Sequence, residues 1–202
     1  MSNKLMDAAH LKDAFSRWAA AMDEAAPELN ELDSLLGDGD LGVTLGKCAA
    51  NMRAALPGAP DTVPGVLRIA SQACANASGS SFGTLLASGL LTAAKWLEGG
   101  KTLDKNALPE LLKHVVQKLS ARGGASLGDK TMLDALQAVA VAIEQALAEN
   151  DLAALARNAA AKAVEEFRIK PSRVGRARMF AEKSAGMDDP GMVAVLRMTQ
   201  CL

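Results

Sequence analysis

Apolar residues recur at steps of three and four positions along most of this chain. Leu11, Phe15, Trp18 and Met22 follow that spacing, which places them on one face of a helix. No segment alternates convincingly between apolar and polar residues, and only 3% of the residues are aromatic. Because alanine and leucine dominate the apolar runs, we predict an all-α fold of about eight helices, in a single domain over residues 1–202.

Glycine and proline positions predict where the helices begin and end. We predict a first helix over Lys4 to Ala26 and a second one that Pro27 opens and Gly37 ends. Further along, a long apolar helix is predicted over Lys130 to Glu149. Asp151 is expected to cap the helix that follows, because an aspartate there accepts from free backbone N–H groups.

Charge and residue content exclude several classes of protein. The formal net charge is −1, which argues against a nucleic-acid-binding surface. Three distant cysteines and two histidines do not predict a zinc site. Neither a signal peptide nor an apolar run of about 18 residues, as a membrane span needs, is evident. We therefore expect a cytoplasmic protein without membrane or nucleic-acid partners.

The first of four glycine-rich polar loops brings together three carboxylates. Asp33 lies in the last turn of a predicted helix, and Asp38 and Asp40 follow in the segment Gly37–Gly42. Carboxylates this close repel one another unless a cation lies between them, and such oxygen ligands suit Mg²⁺. A calcium EF-hand would need a glutamate where the chain has Ala49. An acidic turn in solvent is the alternative.

The second loop, Ser78 to Thr84, precedes an apolar helix and contains Gly79, Ser80 and Ser81. Hydroxyl groups and backbone N–H groups at a helix N-terminus can bind an anion, and glycine lets a phosphate approach the backbone. An ordinary helix cap is an equally good interpretation of this loop.

The third loop, Gly123 to Met132, only superficially resembles a P-loop. Asp129 separates the glycine from Lys130 and Thr131, and the flanking segments are helical where a P-loop requires a preceding strand. We expect a flexible loop that offers glycine, lysine and threonine to a nucleotide.

The fourth loop runs from Arg173 to Gly191, in a basic and irregular part of the chain that begins at Arg168. Its arginines could donate paired hydrogen bonds to phosphate oxygens. Surface charge exposed to solvent is the alternative. The candidate cations are Arg173, Arg176, Arg178 and Lys183.

Taken in order, these loops resemble one family, the ADP-binding L subunit of dihydroxyacetone kinases, which also occurs as the nucleotide domain of single-chain kinases. The resemblance spans nearly the whole chain. It implies an antiparallel barrel of eight helices with the nucleotide at one end. The matching motifs are Leu29-Asn30-Glu31-Leu32-Asp33, Gly37-Asp38-Gly39-Asp40, Gly79-Ser80-Ser81, Gly128-Asp129-Lys130-Thr131-Met132-Leu133-Asp134-Ala135-Leu136 and Asp189-Pro190-Gly191.

The resemblance also implies roles for individual residues. Asp33, Asp38 and Asp40 would hold two Mg²⁺ ions that bridge the phosphates of ADP or ATP, and Ser80 and Ser81 would contact phosphate. No catalytic residue is assigned. The remaining residues implied around the nucleotide are Thr44, Gly79, Gly128, Thr131, Met132, Arg176, Asp189 and Gly191.

The family further implies partners. The phosphoryl acceptor, dihydroxyacetone or a related keto-triose or tetrose, would bind on a separate K subunit. In the phosphotransferase-system version, a third M subunit rephosphorylates the bound ADP. Whether the chain forms a homodimer is left open by the sequence. A nucleotide-binding regulator that transfers nothing, and a helical interaction domain without a ligand, are the competing functions.

Two positions depart from the family pattern. Leu41 follows Asp40 where these kinases often carry histidine, so any phosphate contact from that side chain is lost. The segment Gly175 to Met179 also differs, which leaves the choice between Arg176 and Arg178 open. Both departures suggest a branch that acts on a related keto-sugar or one that exchanges ATP freely.

Overall fold

The structure, a computed structural model, describes residues 6–77, 79–147 and 151–202, and all regular structure in these ranges is helical. This confirms the all-α prediction. The helices are α1 (Ala8–Leu36), α2 (Leu41–Ala55), α3 (Val63–Ala77), α4 (Ser81–Glu98), α5 (Ala107–Gly123), α6 (Met132–Gln145), α7 (Leu152–Arg168), α8 (Ala181–Ser184) and α9 (Pro190–Gln200). Short 3-10 turns lie at Leu56–Gly58 and Arg176–Phe180.

Eight of the described helices have eleven residues or more, and they form a closed ring. Each packs against the next long helix in the chain, and α9 packs against α1. Short connections between sequential helices favour antiparallel neighbours. None of the helices in the described part is long and apolar enough to cross a membrane.

Helix α1 continues through Pro27, where the sequence predicted a boundary. Lys4, the predicted start, lies outside the described residues. An interior proline loses one backbone hydrogen bond and costs about 3 kcal/mol. Met22 and Leu29, on either side of it, are both fully buried. Their burial contributes about 1.5–3 kcal/mol each, which offsets the proline.

Close approach of α1 and α2 depends on Gly42. A Cβ atom at this position would lie 2.0 Å from the carbonyl oxygen of Ala26 in α1. The backbones of the two helices therefore touch directly. This contact fixes the start of α2, and so the loop before it, against the end of α1.

The predicted helix over Lys130 to Glu149 begins later, at Met132, because Thr131 caps it. Its predicted end at Glu149 lies outside the described residues. Asp151 does cap α7, since its side chain accepts from the backbone N–H of Ala154 at 2.8 Å. The segment after α7 is largely irregular as predicted, with one 3-10 turn and α8 inside it.

Candidate functional site

Four connections meet at one end of the ring: α1–α2, α3–α4, α5–α6 and α7–α9. They are every second connection of the ring, as an up-and-down arrangement requires. A cleft of ≈ 300 Å³ lies between them. Its lining includes Asp33, Asp38, Asp40, Gly79, Ser80, Ser81, Thr131, Met132, Arg176, Asp189 and Gly191. The structure therefore brings together most of the residues that the sequence singled out.

The acidic loop places three carboxylates in one group. One oxygen each from Asp33, Asp38 and Asp40 lies within 4.8 Å of the others. Asp33 is half-buried, while Asp38 and Asp40 are exposed. Three oxygen donors this close, with one side open to the cleft, are a donor set that fits a hard divalent cation such as Mg²⁺.

Backbone hydrogen bonds hold Asp33 in this position. Its Oδ2 accepts from the N–H of Asp40 at 3.0 Å and from the N–H of Leu41 at 3.3 Å. Asn30, one turn earlier, accepts from the N–H of Val43 at 3.1 Å. The first N–H groups of α2 thus bind side chains at the end of α1, which fixes the loop at both ends.

The glycine at position 37 is needed for the approach of this loop to Asp33. A Cβ there would lie 2.3 Å from Oδ1 of Asp33 and 2.8 Å from its carbonyl oxygen. Gly39 adopts a φ of +74°, in the left-handed region that favours glycine. The Gly-Asp-Gly-Asp sequence therefore shapes the carboxylate group as well as supplying it.

Four helix N-termini border the cleft, those of α2, α4, α6 and α9, whose first residues all line it. Each N-terminus carries backbone N–H groups and the positive end of a helix dipole. Anions are favoured where such ends meet. A metal-binding carboxylate group beside an anion-favouring surface suits a ligand that carries both a cation and phosphate.

The serine loop is a helix cap and a wall of the cleft at once. Ser80 caps α4, because its Oγ accepts from the N–H of Gly83 at 3.2 Å. Gly79 and Ser81 are exposed beside it. The two interpretations of this loop are thus compatible. Ser78, the first residue of the predicted motif, lies outside the described residues.

Thr131 begins α6 with a reciprocal capping box. Its Oγ1 accepts from the N–H of Leu133 at 3.2 Å, and Asp134 accepts from the N–H of Thr131 at 2.8 Å. Asp134 also accepts from the N–H of Gly128 at 2.6 Å. These contacts set the shape of the loop that places Thr131 and Met132 in the cleft.

The expectation that Lys130 offers its side chain to a nucleotide is wrong. Lys130 is 1% exposed. Its Nζ donates to the carbonyl oxygens of Arg168, Lys170 and Ser184. An ammonium group has three N–H donors, so all of them are used within the protein.

Arg176 is the arginine that reaches the cleft. It forms an ion pair with Asp38 and lines the cleft, whereas Arg178 does not line it. Of the two positions that the sequence left open, Arg176 is the one that lines the cleft. Both arginines are exposed, and the ion pair with Asp38 is the contact that distinguishes Arg176.

Asp189 is half-buried at the edge of the cleft, where it caps α9 by accepting from the N–H of Met192 at 2.8 Å. Burial raises the pKa of Asp189 to about 7, although the Met192 N–H and the charge of Lys130 act to lower it. A Cβ at Gly191 would lie 3.1 Å from the Asp189 carboxylate. Glycine therefore leaves room for the cap.

Two predicted residues do not line the cleft. Thr44 is buried within α2, one turn beyond the loop. Gly128 has a φ of +96° and donates its N–H to Asp134, which shapes the turn before Thr131. Other cleft residues were not assigned from the sequence, mainly apolar ones: Phe82, Leu85, Val174, Gly175 and Ala177. Leu85 follows Ser81 by four positions on α4, a spacing that could have identified it.

A family model described as the DAK2 domain matches residues 35–202. The chain belongs to the DAK2 domain family. It is 33% identical over 194 residues to a D-erythrulose kinase of Mycolicibacterium smegmatis, a match that covers 90% of this chain and 33% of that kinase. It thus spans about a third of the length of that relative, and the same holds for an L-erythrulose 1-kinase of that organism.

A subunit relative matches along most of its length. The chain is 27% identical over 187 residues to the ADP-binding subunit DhaL of a PEP-dependent dihydroxyacetone kinase from Listeria innocua, covering 89% of each chain. The structure resembles the dihydroxyacetone kinase of C. freundii in complex with AMP-PNP and Mg²⁺, with a TM-score of 0.76 and 25% identity. That match covers 96% of this chain and 33% of the other. It confirms the all-α helical fold.

Proposed function

We propose that this chain is the nucleotide-binding part of a dihydroxyacetone-type kinase. It would bind Mg²⁺ with ADP or ATP in the cleft, and the phosphoryl group would pass to dihydroxyacetone or a related keto-triose or tetrose. The observation that carries this proposal is the meeting of three carboxylates with four helix N-termini at one cleft. Few ligands other than a metal-bound phosphate need both.

Acidic residues would bind the metal ion, and hydrogen-bond donors would bind the phosphates. Asp33, Asp38 and Asp40 would hold Mg²⁺, which when bound neutralises charge on the phosphates. The N-terminus of α4, with Ser80 and Ser81, would donate hydrogen bonds to phosphate oxygens. Two Mg²⁺ ions are proposed here from the family resemblance.

Apolar side chains would bind the other end of the nucleotide. Phe82, Leu85, Met132 and Val174 line the cleft together. An aromatic and aliphatic wall beside a few polar groups is typical of a small-molecule site. Thr131, Asp189 and Gly191 line the same cleft and would also lie around the nucleotide.

The acceptor sugar would lie on a separate substrate-binding K subunit. The length match to the Listeria ADP-binding subunit, 89% of that subunit, supports a division of this kind. The erythrulose kinases among the relatives support a keto-tetrose as an alternative to dihydroxyacetone. If ADP stays bound, an M subunit of a phosphotransferase system would donate the phosphoryl group. The proposal also includes a homodimer of this chain.

Calorimetric titration with ADP, in Mg²⁺ and then in excess chelator, tests the nucleotide site. We expect binding only with Mg²⁺ and its loss in Asp38→Ala. Asp13→Ala, which removes an exposed aspartate of α1 distant from the cleft, is the matched control. Equal affinity in Asp38→Ala and Asp13→Ala would contradict the proposed site.

Two further measurements separate the proposed kinase from a regulator. Mass spectrometry of small molecules released on denaturation shows whether ADP is held permanently. Phosphoryl transfer to dihydroxyacetone or erythrulose, assayed with a K subunit added, then tests catalysis. Binding of Mg·ADP without transfer to either sugar would favour a regulatory subunit.

A further inference from the structure

Lys130 combines two features that are each unusual for lysine. It is 1% exposed. Its φ is +64°, and it is the one non-glycine residue with positive φ in the described ranges. Left-handed backbone costs a residue with a side chain about 1 kcal/mol or more, as strained conformations generally do. A buried ammonium must also find hydrogen-bond partners.

The partners of Lys130 lie at the two ends of one segment. Its Nζ donates to the carbonyl oxygens of Arg168 and Lys170, at 3.2 and 2.8 Å, and to that of Ser184 at 2.8 Å. Arg168 ends α7, so the first oxygen belongs to the negative end of a helix dipole. One ammonium group therefore ties the start of segment 169–184 to its end.

Neighbouring hydrogen bonds reinforce the same junction. The N–H of Gly186 donates to the Arg168 carbonyl at 2.8 Å, and Arg168 forms an ion pair with Asp188 at 2.7 Å. The N–H of Ser172 donates to Oγ of Ser184 at 2.7 Å. The base of segment 169–184 is thus closed, while its middle is held at the cleft through Val174 and Arg176.

We propose that Lys130 is a positioning residue, which closes the base of segment 169–184 and so holds Val174 and Arg176 at the nucleotide cleft. Lys130 also lines the cleft, but its ammonium group, which is bound to the three carbonyl oxygens, would act through Val174 and Arg176 and would not contact the nucleotide. This inference rests on the proposed function for its effect on affinity. The closing of the segment itself can be tested without any nucleotide.

Two substitutions distinguish the effect of the ammonium group of Lys130 from the effect of its backbone conformation. Lys130→Met removes the three donors and keeps an apolar stem of similar length. Lys130→Gly removes the donors as well, but relieves the strain of the positive φ. If only the backbone conformation matters, Lys130→Gly will behave as the wild type.

The first readout is limited trypsin digestion of the nucleotide-free protein. Segment 169–184 contains trypsin cleavage sites after Arg173, Arg176, Arg178 and Lys183. We expect both variants to be cut in this segment about tenfold faster than the wild type, because local opening controls cleavage. Melting temperature and circular dichroism show whether the rest of the fold is kept.

The second readout is the affinity for Mg·ADP. We expect both variants to bind about tenfold more weakly than the wild type. Wild-type cleavage in Lys130→Gly, or faster cleavage with unchanged affinity, would overturn the positioning role. Unfolding of both variants would also overturn it, since Lys130 would then belong to the global fold. If the wild type binds no Mg·ADP, the proposed function fails, and the cleavage comparison alone decides whether Lys130 closes the segment.

Discussion

Arg176 forms an ion pair with Asp38 across the mouth of the cleft. The pair joins the connection after α7 to the connection after α1, and it places a guanidinium beside three carboxylates. Asp38 is therefore shared between two functions, as a partner of Arg176 and as a candidate metal ligand. The contributions of Arg176 to metal binding and to nucleotide binding should consequently have opposite signs.

Arg176→Ala should bind Mg·ADP more weakly and Mg²⁺ alone more tightly. The guanidinium can donate paired hydrogen bonds to phosphate, so its loss should cost about tenfold in nucleotide affinity. It also competes electrostatically with a cation at Asp38, so its loss should raise the affinity for the free metal. Calorimetric titrations with each ligand check both signs. Arg178→Ala, which lies outside the cleft lining, is the control and should leave both affinities unchanged.

Asp33 and Asp38 should differ when each is replaced by alanine. The Asp33 carboxylate also accepts from the backbone of Asp40 and Leu41, so Asp33→Ala should lower the free energy of unfolding by about 1 kcal/mol and abolish Mg²⁺ binding. Asp38→Ala should abolish Mg²⁺ binding with little change in stability. Urea unfolding and metal titration of the two variants give the comparison. Equal loss of stability in both would show that the hydrogen bonds of Asp33 do not support the loop.

The sequence predicted the helices well because their signals are local. Capping residues such as Asp151 and the apolar spacing of α1 are contained in a few turns of chain. The boundary predicted at Pro27 was wrong, because it came from a local rule about proline. In the structure the burial of Met22 and Leu29 offsets the cost of a proline inside the helix. The distance between Gly42 and Ala26 depends on how two helices cross, which no local pattern contains.

The candidate site also contains some residues that local motifs predict and others that depend on contacts distant in sequence. Its carboxylates and serines could be predicted because they lie in short motifs next to helix ends. The burial of Lys130 could not, because its three acceptors come from a segment distant in sequence. Nor could the choice of Arg176 over Arg178, which depends on the path of the segment after α7.

The stability of the protein should depend on pH through Asp189. Burial raises its pKa from the usual 3.8 to about 7. Between these two values the folded chain keeps a proton that the unfolded chain has released. This carboxyl therefore contributes stability at low pH that is lost as the pH rises to about 7, with no further change above that value.

Asp189→Asn should remove this dependence while keeping the helix cap, because an amide oxygen can still accept from Met192. We expect the free energy of unfolding to fall more between about pH 5 and pH 7.5 in the wild type than in the variant, by at least ~1 kcal/mol. Urea unfolding at both pH values measures the difference. Asp151→Asn, at the exposed cap of α7, is the matched control. Parallel curves for the wild type and Asp189→Asn would contradict the raised pKa.

Two glycines of α2 should respond oppositely to alanine. At Gly42 a Cβ would lie 2.0 Å from the Ala26 carbonyl oxygen, so Gly42→Ala must push α1 and α2 apart. At Gly46 the nearest atom to a Cβ would be Oδ1 of Asp23, at 3.8 Å, which is ordinary contact. Gly42→Ala should therefore lower the free energy of unfolding by about 2 kcal/mol or more, as overpacking typically does.

Gly46→Ala should instead raise the free energy of unfolding by up to ~1 kcal/mol, because alanine favours a helix interior over glycine. Urea unfolding of the two variants, which carry the same chemical change one turn apart, isolates the effect of helix contact. Gly42→Ala should also weaken Mg·ADP binding, since Gly42 directly follows Asp40 and Leu41 at the cleft, whereas Gly46→Ala should not. Equal stability of the two variants would mean that α1 and α2 do not touch at Gly42.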